Sequence, residues 1–142
     1  MIDLSVLSEK FNIEIHNDKV YCYDDILAVL EFLKNTPEFN FDILTSIIAV
    51  DLNDKIELIW QLYSTVNNNI LNVSCYTVEN SAPSVISLFK SAYFDECEIY
   101  DMFGVNFSGN DKLKRLFMPE SWLGHPMLKS YKMSDERLVW NE

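Results

Sequence analysis

The spacing of apolar residues changes several times along the chain, and each change marks an element. Leu4, Leu7 and Phe11 recur at helical spacing within residues 1–11, and Asn12 ends that face. Ile13-Glu14-Ile15-His16 alternates as a short strand. Asn17-Asp18 supplies a turn, and Val20-Tyr21-Cys22-Tyr23 returns as the second strand of a hairpin. Asp24-Asp25 can cap a helix whose buried stripe is Ile26, Val29, Leu30 and Leu33. That helix should stop before Pro37, because the residue ahead of a proline avoids the helical region. Residues 41–51 form an Ile- and Val-rich strand, and Leu52-Asn53-Asp54 turns the chain. Ile56, Leu58, Trp60 and Leu62 then alternate with polar or less apolar neighbours. After Asn67-Asn68-Asn69, so do Leu71, Val73 and Cys75. Residues 41–78 therefore predict an antiparallel meander of three strands.

Further on, Asn80-Ser81-Ala82-Pro83 reads as a helix start, with Val85, Leu88, Phe89 and Ala92 on its apolar face. A second helical stretch covers residues 95–103, and Gly104 suits the left-handed position just past a helix end. Beyond Gly109 no period persists, and Pro119 and Pro126 interrupt any long element. The predicted fold is α+β: a two-layer domain over residues 1–110, mostly antiparallel sheet with helices on one face. An extended C-terminal docking segment follows over residues 111–142.

A chain of 142 residues suits one domain, and 49% hydrophobic residues supply a proper core. No apolar run reaches the roughly 18 residues of a membrane span; the best candidate, residues 43–50, is strand-sized. No basic region precedes an apolar core at the N-terminus, so a cytosolic location is expected. The net charge of −11 argues against nucleic acid as a partner. The charge is uneven. Residues 1–111 carry 18 acids and 5 bases, whereas residues 112–142 carry 4 acids and 6 bases, Lys112, Lys114, Arg115, Lys129 and Lys132 among them. Such asymmetry either orients a protein on a partner or is a solvated surface. Cys22, Cys75 and Cys97 form no C-x-x-C pair. Three thiols fall short of an iron–sulfur ligand set, and Cys22 and Cys75 read as small core residues.

The densest chemistry lies in residues 96–131, where all three glycines stand: Gly104, Gly109 and Gly124. Glu98 and Asp101 are three apart and would share a helix face. With His125 they offer an acid–base reading, but no pocket motif accompanies them, and a salt bridge to Arg115 or to a basic partner fits better. His16 reads as structural. His125, held between Gly124 and Pro126, reads as a hydrogen-bonding turn residue rather than a metal ligand. No G-x-G-x-x-G or G-x-x-x-x-G-K loop offers a phosphate cradle. Trp122, Tyr131 and Trp140, flanked by bases, read as interface anchors, the alternative being packing onto their own domain.

Glu98-Ile99-Tyr100-Asp101-Met102-Phe103-Gly104-Val105, then Phe107 and Gly109, begin a familiar order. Leu113-Lys114-Arg115-Leu116-Phe117-Met118-Pro119-Glu120 follows, and Gly124-His125-Pro126, Lys129 and Tyr131 complete it. This resembles the 30 kDa subunit family of respiratory complex I, which in bacteria is a subunit of NADH-quinone oxidoreductase. Three departures stand out. The family's usual Glu-Arg-Glu is Glu96-Cys97-Glu98 here. Its His-Pro after the glycine is Asn110-Asp111. An Arg common after the later His-Pro is Leu128. These changes are expected to remove charge from the contact surface.

The resemblance implies a non-catalytic scaffold in the peripheral arm, at the cytoplasmic face of the inner (cell) membrane. It implies no cofactor in this chain, with iron–sulfur clusters and a flavin or NiFe centre in partner subunits. The implied partners are the large quinone-site (or NiFe-site-like) subunit and the small iron–sulfur subunit. The implied interface comprises Glu96, Glu98, Asp101, Phe103, Lys114, Arg115, Pro119, Trp122, His125, Pro126, Lys129 and Tyr131. The family also serves energy-converting [NiFe] hydrogenases, and the short stretch after the motif makes that complex the second expectation. A stand-alone acid–base enzyme is the expectation from another class.

Overall fold

The computed structural model describes residues 2–17 and 19–132; Met1, Asp18, Trp140 and the rest of residues 133–142 lie outside the described residues. Two short elements open the chain. Helix α1 (Ser5–Lys10) buries Leu7, and strands β1 (Ile13–His16) and β2 (Lys19–Cys22) form the expected antiparallel hairpin. Asn17 at its tip has φ 49°, a left-handed conformation that asparagine tolerates.

Helix α2 (Ile26–Asn35) starts where an acid can cap it: Asp25 Oδ1 accepts from the Ala28 N–H at 3.2 Å. It ends two residues before Pro37, and its buried stripe is the predicted Ile26, Val29, Leu30 and Leu33. The meander follows as β3 (Ile43–Asp51), β4 (Ile56–Ser64) and β5 (Asn69–Tyr76), paired antiparallel in sequence order. Asn53 and Asn68 take positive φ in the two turns.

The five strands lie in the order β1-β2-β5-β4-β3. The hairpin and the meander meet along one parallel seam between β2 and β5, in register Lys19–Asn72, Val20–Val73 and Tyr21–Ser74. One face of the sheet carries Leu44, Ile47, Leu58, Trp60, Leu62, Leu71, Val73 and Val20, all buried with Leu7 and the α2 stripe in a single core. The opposite face carries Ile48, Ile59, Tyr21 and the ion pair Lys19–Glu57 (2.6 Å). This is the predicted two-layer α+β arrangement.

Residues 80–91 differ from expectation. They form no helix: Ser81–Pro83 is a strand, β6, parallel to β7 (Asn106–Ser108). Glu79 and Asn80 turn with positive φ, and Val78 and Ser81 exchange N–H···O bonds of 3.1 and 2.9 Å. Val85 and Phe89 are buried as their spacing required, but through a turn rather than a helix, and Ala92 is buried at the start of the next helix. The backbone is committed elsewhere: the Asn80 carbonyl accepts from the Asn106 N–H (2.9 Å) and the Ser84 N–H donates to the Ser108 carbonyl (2.8 Å), while Glu96 accepts from the Ser84 hydroxyl and the Val85 N–H. Helix α3 begins instead at Ala92 and runs to Phe103, with Asp95 in its first turn, where the helix dipole favours a negative charge.

Candidate functional site

Helix α3 places two acids in the interior, and each organises a different neighbourhood. Glu96 and Asp101 are both fully buried. Glu98 lies on the exposed side of the helix, so the expected shared face of Glu98 and Asp101 does not occur.

Asp101 is the centre of a clasp. Its Oδ2 accepts three consecutive backbone N–H groups, from Leu116 (3.1 Å), Phe117 (2.7 Å) and Met118 (3.1 Å). Its Oδ1 accepts from Arg115 at 3.0 Å. The other arm of the guanidinium donates to the carbonyls of Trp122 (3.1 Å) and Gly124 (3.0 Å). One carboxylate and one guanidinium thus fix residues 115–124 as a loop. Burial acts to raise the Asp101 pKa, but the N–H groups of Met118 and Phe117, Arg115 and the Leu116 N–H outweigh it. The carboxyl is held below the ordinary aspartate range.

The helix end completes the clasp. Gly104 sits at φ 74°, and its N–H bonds to the Tyr100 carbonyl at 3.0 Å. The His125 ring lies directly over it: a Cβ at Gly104 would stand 2.7 Å from His125 Cδ2. His125 Nδ1 is 2.9 Å from the Asp101 carbonyl; a carbonyl only accepts, so Nδ1 is the protonated nitrogen. Beyond it, the Met127 N–H donates to the Met102 carbonyl (2.9 Å) and the Lys129 N–H to Asp51 Oδ2 (2.8 Å). The Lys129 N–H, with that of Asn53, lowers the Asp51 pKa.

Glu96 organises the other centre. It accepts from the Ser84 hydroxyl (2.8 Å), the Val85 N–H (2.8 Å) and the Asn110 amide (2.9 Å), tying β6, β7 and α3 together. Burial outweighs these bonds, and its pKa is raised.

The structure brings together Asp101, Arg115 and His125, with Gly104 and Gly124, and turns them inward. Phe103, Trp122, Pro126 and Tyr131 are half-buried, whereas Glu98, Lys114, Pro119 and Lys129 are exposed. Glu96 and Asp101, expected as surface charges, are internal, because each meets donors that water would otherwise have to replace. At the family departures, Cys97 and Asn110 are buried and Leu128 is half-buried against the core, whereas Asp111 is exposed. Sequence reasoning missed Ser84, Asp51 and Asn110 as supports; only the unexpected polar character of Asn110 beside Gly109 gave any signal. The acid–base reading of Glu98, Asp101 and His125 loses its basis, since Asp101 and His125 are spent on internal bonds and Glu98 points to solvent. Among the described residues no cluster of three or more His, Cys, Asp or Glu side chains could hold a metal ion, and no helix is long and apolar enough to cross a membrane.

Known proteins share this fold. Among solved structures, the chain matches one in the membrane-bound sulfane sulfur reductase, an archaeal respiratory membrane complex, with a TM-score of 0.75 at 23% identity over 92% of this chain and 83% of that one. It matches the trypsin-resistant fragment (1-134) of Nqo5 with a TM-score of 0.57 at 22% identity, over 74% and 91% of the two chains. At these identities the likeness is one of fold. By sequence, the C subunit of NADH-quinone oxidoreductase from Rickettsia bellii (strain RML369-C) is 34% identical over 113 residues, 77% of this chain and 58% of that protein. Its counterpart from Roseiflexus sp. (strain RS-1) is 33% identical over 120 residues, 81% of this chain and 69% of that protein. The chain thus spans little more than half the length of the Rickettsia relative. The profile described as "Respiratory-chain NADH dehydrogenase, 30 Kd subunit" matches residues 21–137. The chain belongs to the 30 kDa subunit family of respiratory-chain NADH dehydrogenase.

Proposed function

We propose that this chain is a non-catalytic docking subunit of an NADH-quinone oxidoreductase-type complex. It sits in the peripheral arm at the cytoplasmic face of the membrane, on the large quinone-site subunit and near the small iron–sulfur subunit. The iron–sulfur clusters and the flavin or NiFe centre belong to other subunits of the complex, and this chain contributes shape and charge.

One observation carries the reading. The clasp turns Asp101 and Arg115 inward and leaves a fixed loop that presents large apolar and basic side chains outward, beside the exposed Glu120 and Ser121. Phe117, Leu123 and Met127 are 67%, 56% and 57% exposed, with Lys114 and Lys129 exposed on the same segment. Large apolar side chains left on an ordered loop favour burial against a partner. The Phe117 backbone holds the clasp while its ring faces outward, so the two roles separate cleanly.

Co-purification of the complex tests this. Phe117→Asp with Lys114→Glu leaves every clasp bond in place and is expected to abolish recovery of partner subunits while the chain stays folded. A fully assembled, active complex would overturn it. The identity of the co-purified subunits also decides the second reading, a membrane-bound [NiFe] hydrogenase-type complex. The same fold occurs in another respiratory membrane complex, the archaeal sulfane sulfur reductase, so the fold alone does not choose between complexes. A flavoprotein among the partners identifies the first and a NiFe subunit the second.

A further inference from the structure

Cys22 and Cys75 stand 53 positions apart in the chain and meet across the one parallel seam of the five-stranded sheet. The register of β2 with β5 runs Val20–Val73, then Tyr21–Ser74. One step further on both strands, Cys22 stands beside Cys75. The outer neighbours agree: Ile13 pairs with Cys22 on one side, and Leu58 with Cys75 on the other. Partners across a ladder point to the same face, here the helix-covered one. Adjacent strands lie about 4.8 Å apart, inside the roughly 4.4–6.8 Å Cα separation that a disulfide spans.

The pair opens to solvent through Cys75. Cys22 is buried, but Cys75 is only half-buried and lines a cavity of about 270 Å³ with Asp24, Tyr76, Ala82 and Ser108. That volume admits a molecule the size of a peroxide. Hydrogen bonding between the two thiols is the leading influence on both: it lowers the Cys22 pKa, and with burial it raises that of Cys75. Cys22 is therefore the sulfur that becomes a thiolate first.

We propose that Cys22 and Cys75 form a reversible dithiol–disulfide site, oxidised by hydrogen peroxide or a small organic hydroperoxide entering through this cavity. The Cys22 thiolate attacks a peroxide oxygen and the O–O bond breaks. This gives Cys22 sulfenic acid and a hydroxide (or alkoxide) that takes up a proton. The Cys75 sulfur then attacks the Cys22 sulfur. The S–S bond forms, the S–O bond breaks, and the hydroxyl leaves as water with the Cys75 proton. The two thiols lose two electrons, and one hydrogen peroxide becomes two waters. A dithiol reductant reverses the step by exchange. The bond would tie the β1–β2 hairpin to β5, a junction otherwise made by three residue pairs.

The site is tested on the full chain, treated with hydrogen peroxide and then alkylated under denaturing conditions. The thiol titre is expected to fall from three per chain to a single thiol, Cys97, which is buried in α3. Peptide mass spectrometry should show the Cys22 peptide joined to the Cys75 peptide with the loss of two hydrogens, and dithiothreitol should release it. Cys97→Ser should keep the cross-link. Cys75→Ser should instead accumulate Cys22 sulfenic acid, trapped by dimedone. Three free thiols after treatment, separately oxidised cysteines, or a cross-link through Cys97 or between two chains would each overturn the proposal. The mapping on the unsubstituted chain decides even where a serine variant misfolds.

Discussion

The sheet body and the C-terminal loop of this molecule are held by different forces. The body is held by area: alternating positions on β4 and β5 and the stripe of α2 meet in one continuous core. Each fully buried large apolar side chain there contributes about 1.5–3 kcal/mol, and no single one decides the fold. Residues 111–132 contain no helix or strand, and their order is focused on Asp101, Arg115 and a few carbonyls. A structure held by area loses stability in proportion to the volume removed. One held by a single carboxylate loses its arrangement when that carboxylate is removed. The difference also divides labour: the body supplies a rigid base, and the clasp sets a loop on it with its apolar side chains outward.

Trp60→Ala should produce the largest effect. It empties the centre of the body, where Trp60 is fully buried between Ile47 and Val73. Equilibrium denaturation should show a loss of about 3–5 kcal/mol, with body and loop unfolding together. A loop that survives would break the dependence of one region on the other.

Asp101→Asn should separate the two regions. It leaves the nearly buried Arg115 charge without its counterion and weakens three N–H contacts, at a cost of about 2–3 kcal/mol. Limited proteolysis should cut residues 112–124 while the circular dichroism of the sheet is unchanged. Gly104→Ala attacks the same clasp through geometry, combining left-handed strain with the His125 contact at 2.7 Å. About 1–2 kcal/mol is expected, read as a lower thermal midpoint with His125 displaced. Asp25→Ala touches only the body, removes the α2 cap and should cost about 1 kcal/mol, with no change in loop proteolysis.

The two carboxylates give a finer test without substitution. The folded Asp101 pKa is below its unfolded value of about 3.9. Its stabilisation is therefore fully present above that value and is lost as pH falls through the folded pKa. Glu96 runs the other way. Its folded pKa is raised, so its contribution is fully present below the ordinary glutamate value and is lost as pH rises through the folded pKa. Carboxyl NMR titration should place Asp101 below and Glu96 above their ordinary values. Acid should loosen the loop before it loosens the β6–β7 junction that Glu96 holds.

Much of the body is legible in the sequence because its order is local. Alternation in residues 56–76, the Asp25 cap, the stop before Pro37 and Gly104 past α3 each follow from neighbouring residues. The parallel seam between β2 and β5 does not, since pairing across about 50 residues leaves no mark on periodicity. Residues 80–91 carry helical spacing, yet the backbone of residues 80–84 pairs with β7, more than 20 residues further on, which periodicity does not show. At the candidate site the motif residues are legible, but their direction is not. In sequence Asp101 can pair either with Arg115 or with a basic partner, and only the three backbone N–H groups of residues 116–118 show that it turns inward. Those donors are main-chain atoms, which residue identity does not report.

Hydrogen exchange on the full chain, measured for the Leu116, Phe117 and Met118 amides, tests the central claim most directly. Those three amides should be protected in the free chain, before any partner binds. Asp101→Asn should abolish that protection and leave the amides of β4 and β5 unchanged. Exchange at the rate of unstructured peptide in the unsubstituted chain, or protection that survives the substitution, would contradict the account.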